Sequence, residues 1–285
     1  MKRVKKTILE INTKADILKK LKEVGSKPLT VTSHSYEKYG AITIAKAAKK
    51  SLSSIGRKGT EKPAIGIIEV ILSANRDYNK VVLPNLKRIE KLHPNLKSVK
   101  QLENLLKRTS KEDFFELWGH RDNKKYETLC EIIKAINAMR KSKSESDYDT
   151  IHKWAINVDL YNLKSDPIGK IKNVAIATTQ HLRMVFGVET VKPDQRVKEV
   201  LENEFGLEKI SDIQAIVAVQ DIARISNKSE FEVDQILVKY GSGYYSKYTK
   251  QLSVKDIAKN LRELQVDIDI IAKATRLSKK QIINL

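Results

Sequence analysis

Cysteine, glycine, proline and long apolar runs are all scarce in this 285-residue chain. The single cysteine, Cys130, rules out an intrachain disulfide and any cysteine-ligated iron–sulfur cluster, so a reducing, cytoplasmic compartment is expected. The longest apolar runs, such as Ala64–Ile68 and Val70–Leu72, fall far short of the roughly 20 residues that cross a bilayer. The basic opening, MKRVKKTILEINTK, lacks the continuous apolar stretch of a secretory signal. The histidines and the cysteine show no metal-ligand spacing, so neither a metal nor another cofactor is expected.

What the chain does carry is positive charge and helical periodicity. The net charge is +19, from 54 Lys and Arg against 35 Asp and Glu. The first sixty residues hold fifteen basic and four acidic side chains. Such an excess concentrates polyanions and is screened by salt, which makes nucleic acid a natural partner. Apolar residues recur at three- and four-residue steps in ADILKKLKEV, LPNLKRIEKL, YETLCEIIKAINAM and VKEVLENEF, the spacing of a helix with one buried face. No sustained alternating run stands between turn signals, so the expected fold class is all-α. One extended arm is expected over Pro28–Tyr36, and loops over Ser51–Pro63 and Arg140–Thr150, where Ser, Gly and charge replace apolar residues. The tail, from about residue 250 to 285, contains two short amphipathic helices and then LSKKQI, where Ser278 is placed to cap a last helix. Its phrase IAKATRLSKKQI resembles half of a helix-turn-helix.

Asp194 lies behind a proline in VFGVETVKPDQRVKEVL. A proline and an acid at a helix start are ordinary, because proline's fixed φ suits the first turn and the helix dipole favours the acid. The preceding stretch gives this acid a context. DPIGKIKNVAIATTQHLRMVFG contains a Pro-Ile-Gly turn, a polar hinge at Lys172–Asn173, and a helix closed by Gly187. This order of helix, hairpin, helix, short loop and aspartate resembles the helix-hairpin-helix DNA glycosylase superfamily, in its endonuclease III-like branch. KNVAIATT stands where that family has PGVGxKTA, and KPDQRVKEV where it has VDTHVxR. Upstream, ILSANRDY resembles the family's LLSAQTTD, and Ser110–Ile136 its GxxxxKAxxI helix pair. The likeness covers roughly Ala64 to Leu201. The hairpin glycines are here Asn173 and Ala175; asparagine accepts left-handed backbone geometry and alanine does so poorly.

The resemblance implies a two-domain helix-hairpin-helix DNA glycosylase-like fold. Residues 61–188 would form a six-helix barrel-like domain ending in the hairpin. The basic segment 1–60 would pack with a C-terminal domain, 189–285, and double-stranded DNA would lie in the cleft between. It implies Asp194 as the catalytic carboxylate that stabilises a cationic sugar and activates water. It implies DNA contacts from Asn75, Arg76, Lys172, Asn173, Ala175, Thr178 and Lys192. Asn75 would fill the gap left by an extruded base. Aromatic stacking makes Tyr78, Trp118 and His120 candidates for a base pocket. The lysine that gives bifunctional members a lyase step falls on Ala177, so base excision without strand nicking is expected, from a monomer. Trp154 reads as core, and His34, Tyr36, Tyr39 and KYGSGYYSKY (residues 239–248) as surface aromatics. Two other readings compete: a non-catalytic DNA-binding protein that keeps this fold, and a helical protein-interaction module.

Overall fold

The structure is a computed structural model that describes residues 7–30, 36–245, 258, 262, 266–275 and 277–283. Helices make up 70% of it, and no strand occurs among the described residues. Residues Met1–Gly243 form one compact unit and Tyr244–Leu285 a second.

The first unit contains α1 (Ile8–Ile11), α2 (Lys14–Ser26), α3 (Tyr36–Tyr39), α4 (Ile44–Ser51), α5 (Arg57–Glu61) and α6 (Pro63–Ser73). A π-helical turn, Tyr78–Val82, leads into α7 (Leu83–Leu92), α8 (Val99–Arg108), α9 (Lys111–Trp118), α10 (Asn123–Met139) and α11 (Asp147–Ile156). Then follow α12 (Ile176–Val185), α13 (Gln195–Phe205), α14 (Asp212–Ser226) and α15 (Glu230–Tyr244).

Helix α6 is the axis of the main core. Every residue from Pro63 to Leu72 is buried. A helix buried on every face needs neighbours on every side, and α6 packs on α5, α7, α8, α10 and α12. Each large aliphatic side chain it buries contributes about 1.5–3 kcal/mol relative to exposure. The surrounding apolar cluster draws its buried members from Ala64 to Phe186. Elsewhere in the unit, α2 packs on α4, α13 and α14, and the Asn12 amide donates to the Phe205 carbonyl at 2.8 Å.

Four local expectations change. Ser51–Pro63 is not a loop: it carries a 3-10 turn, Leu52–Ser54, and then α5. Its glycines serve packing. A Cβ on Gly59 would come within 2.3 Å of the Val185 carbonyl oxygen, so only glycine lets α5 approach the end of α12. Arg140–Thr150 is irregular only up to Ser146, which caps α11 by accepting from the Asp149 N–H at 3.0 Å. The arm expected at Pro28–Tyr36 shows an isolated antiparallel bridge between Pro28 and Thr43, and Tyr36 begins α3; residues 31–35, and with them His34, lie outside the described residues. KYGSGYYSKY, expected to present surface aromatics, begins inside α15, where Tyr240 is buried, and residues 246–248 lie outside the described residues. Trp154 is core as expected, 7% exposed, and its indole N–H donates to Asp166 Oδ2 at 2.9 Å.

The second unit has helices Ile268–Thr275 and Lys279–Ile283 over a small core of Ala258, Ile271 and Ile282. Ser278 does cap its last helix. Its hydroxyl accepts the Gln281 N–H at 3.3 Å, and the Gln281 side chain accepts the Ser278 N–H at 2.9 Å.

Candidate active site

Two consecutive helix starts carry the motif. The turn before α12 is built by Asp166, whose Oδ1 accepts the N–H groups of Ile168 and Gly169 at 2.9 and 2.6 Å. The hinge follows. Asn173 adopts φ +71°, the left-handed geometry for which asparagine is suited. Its side-chain amide donates to Thr128 on α10 at 3.3 Å, and the Thr128 hydroxyl donates to the Lys172 carbonyl at 3.2 Å. Ala175 needs no left-handed geometry, contrary to what its place in the motif suggests: it is the extended N-cap of α12, φ −117° and ψ 176°. Alanine offers no oxygen, so no side chain caps the first N–H groups of α12. Lys172, Asn173 and Ala175 are exposed there, and Thr178 is half-buried.

Asp194 does the opposite at α13. It is the N-cap, and its Oδ1 accepts the N–H groups of Arg196 and Val197 at 2.9 and 3.1 Å. The other oxygen, Oδ2, lies 3.8 Å from the Lys192 ammonium, and 27% of the side chain is exposed. The helix-start role and an available carboxylate oxygen therefore coexist. Pro193, buried beside it, holds a tight turn in which the Asp194 N–H donates to the Lys192 carbonyl at 2.7 Å.

Lys192 connects this carboxylate to groups the motif does not contain. Its own N–H donates at 2.9 Å to Asp234 of α15, which is 1% exposed. Burial and the charge of Asp194 push the Asp234 carboxyl up to about 7. Lys239, one turn further along α15 and 1% exposed, donates to Gln235 at 2.6 Å; burial pulls its amine down to about 7. On the other side, burial and the charges of Lys192 and Lys58 hold His181 of α12 well below its ordinary value, as a neutral imidazole. Its Nδ1 lies 3.1 Å from the hydroxyl of Ser73, the last residue of α6.

The chain past Ser73 carries the expected inserting residue. Asn75 is exposed and held at φ +56°. The brace is Lys125 of α10, whose ammonium donates to the Leu72 and Ala74 carbonyls at 2.8 and 2.6 Å. Burial and nearby Arg76 pull that amine down to about 8. Arg76 is exposed and reaches His120, with 3.1 Å between Nη2 and Nε2. Tyr78 is half-buried and donates to Glu69 at 2.6 Å; burial and that carboxylate raise its phenol. Glu69, the one acid of α6, also pairs with Lys58.

Trp118 does not line a pocket. It is fully buried against Phe114, ring centroids 5.0 Å apart, and its indole N–H donates to the His120 carbonyl. Position along α9 turns it inward, where a stacking base has no access. Two open depressions, of about 500 and 410 Å³, lie away from Asp194. One is lined by Pro28, Tyr36 and Lys46 among others, and the second by Glu112, Phe115 and Arg121. Among the described residues there is no cluster of three or more potential metal ligands, and no helix long and apolar enough to cross a membrane.

Lys58, Ser73, Lys125, His181, Asp234 and Lys239 escaped the sequence analysis. Glu69 went unremarked as well, although a lone acid in an apolar run is a signal the sequence carries. No protein-family profile, curated protein or solved structure matches this chain.

Proposed function

We propose that this protein is a monofunctional DNA glycosylase that extrudes a damaged, mismatched or modified base from duplex DNA and hydrolyses its N-glycosidic bond. The observation that carries this reading is the divided use of Asp194: Oδ1 is committed to two backbone N–H groups and Oδ2 is left beside Lys192. A carboxylate fixed by its own helix start is preorganised, so no reorientation is needed when positive charge develops on the sugar. Asp194 would stabilise that charge and direct the attacking water. The uncapped start of α12, with Lys172 and Asn173 beside it, would receive a DNA phosphate, since open helical N–H groups and the dipole both favour an anion. Asn75, braced through Lys125, would enter the stack, with Arg76 at a phosphate or the orphaned base. Tyr78 and His120 remain the aromatic candidates against the base. With alanine at position 177 the resemblance supplies no amine for a lyase step. The barrel-like domain (61–188) and the N-terminal segment with residues 189–243 would hold the DNA between them, in a monomeric, cytoplasmic enzyme.

A second reading is a DNA-binding protein without chemistry. It is favoured by the helix-start bonds of Asp194, which account for that carboxylate without any chemistry. Single-turnover assays on a panel of lesion duplexes, followed by alkali cleavage of abasic sites, separate the two. The enzyme is expected to produce abasic sites from at least one lesion, and D194N to produce them at least about a hundredfold more slowly with DNA affinity retained. Binding without any abasic product from the wild type would establish the second reading.

A further inference from the structure

We propose that Asp234 is the positioning residue of this site: it ties the segment in front of Asp194 to α15 and so fixes where the Asp194 carboxylate stands. The catalytic consequence rests on the function proposed above; the tether itself does not.

The geometry has three linked parts. Asp234 is almost wholly buried, and its Oδ1 accepts the Lys192 N–H at 2.9 Å. Its Oδ2 is oriented by the Gln235 side-chain amide at 3.2 Å. Between Lys192 and Asp194 stands only Pro193, which is buried, has a ring-locked φ and has no N–H to pair elsewhere. The turn is closed by the Asp194 N–H on the Lys192 carbonyl at 2.7 Å. A displacement of the Lys192 backbone therefore passes to Asp194 with little room for absorption. At its other end Asp194 is pinned to the start of α13. The carboxylate is held between two helices, and Asp234 supplies the hold on the α15 side.

A buried acid is a costly way to accept two hydrogen bonds. Charged groups stand around it on several elements. Lys192 and Asp194 face it from the preceding segment, Lys239 stands on its own helix, and Lys38 acts on Lys239 from α3. Its raised ionisation range agrees with a carboxyl that is burdened by the neighbouring Asp194 charge. An asparagine at 234 would keep the acceptor and shed the charge, whereas an alanine would lose both.

The test compares D234N with D234A in the full-length protein; D234L, which keeps volume without an acceptor, covers a failure of D234A to fold. In single-turnover excision, D234A or D234L is expected to be slower by roughly a hundredfold, the cost of about 1 Å of misplacement, with duplex affinity unchanged. D234N is expected to recover most of the rate and to flatten the pH profile near neutrality. Equal losses in D234N and D234A, or losses that follow DNA affinity, would overturn the proposal. If the wild type excises nothing, the glycosylase reading falls, and amide hydrogen exchange still decides the tether. The Lys192 N–H should then exchange about tenfold faster in D234A or D234L than in wild type and D234N. Unchanged exchange would sink it.

Discussion

Helices α12 and α13 follow one another, each begins at an extended residue, and they are finished in opposite ways. Ala175 leaves the first N–H groups of α12 without a side-chain partner, whereas Asp194 closes those of α13 with its own carboxylate. One start is an open positive end facing outward beside Lys172 and Asn173. The other has its dipole already answered by an anion that cannot swing away. The same local geometry is thus set up once to receive a negative group and once to present one. On the proposed function these are the phosphate grip and the charge opposite the sugar.

That contrast can be broken at either helix. The largest effect is expected from D194N, which keeps a capping oxygen while removing the charge: excision should fall by at least about a hundredfold while the helix start survives. A175D comes next. It would give α12 the cap that α13 has, and its two readouts should move in opposite directions. Thermal stability should rise, because an N-cap oxygen contributes about 0.5–2 kcal/mol. Duplex affinity should fall by about tenfold or more, because a carboxylate would occupy the phosphate position. Affinity unchanged in a salt titration would remove α12 from the DNA contact. Third, D194A should destabilise the protein by about 1 kcal/mol in urea unfolding, and D194S should restore most of that. A D194A loss near zero would mean that the cap bonds of α13 contribute nothing net.

The helical skeleton was legible because it is written in spacing. LPNLKRIEKL predicted α7, and the bounds agree, since its apolar steps are local and need no partner to be recognised. The turn at Asn173 was legible too, because left-handed backbone narrows the choice of residue to glycine and a few short polar ones. Ser51–Pro63 misled because its composition is that of a loop. Its small residues are there for close packing, and Gly59 meets the end of α12, more than a hundred residues away in sequence. Trp118 misled for a related reason: an aromatic is equally suited to a base and to a core, and only the neighbours of α9 decide. The groups around Lys192 carry no local signal at all. Asp234 and Lys239 are ordinary in a charged helix pattern. Their importance comes from burial against a segment some forty residues earlier, which no periodicity encodes.

The most diagnostic effect belongs to Asp234, because its sign is fixed by linkage. The folded carboxyl ionises at about 7 against an unfolded value of 3.8. Between those limits the folded protein keeps a proton that the unfolded chain has released. This group's contribution to stability is therefore present at low pH and is lost as the pH rises through about 7, with a slope of at most about 1.4 kcal/mol per unit. Lys239 runs the other way. Its folded amine releases its proton at about 7 against 10.5 unfolded, so its penalty is relieved only as the solution becomes alkaline. D234N removes the first limb, and loss of the Asp234 charge, which raises Lys239, moves the second to lower pH in the same upward direction. Urea unfolding at pH 4.5, 5.5 and 6.5 should show the stability of D234N relative to wild type climbing with each step. A constant difference across that range would mean that Asp234 is ionised throughout in the folded protein. It would then be a paired anion, and α13 and α15 would face each other with two full negative charges held apart only by Lys192.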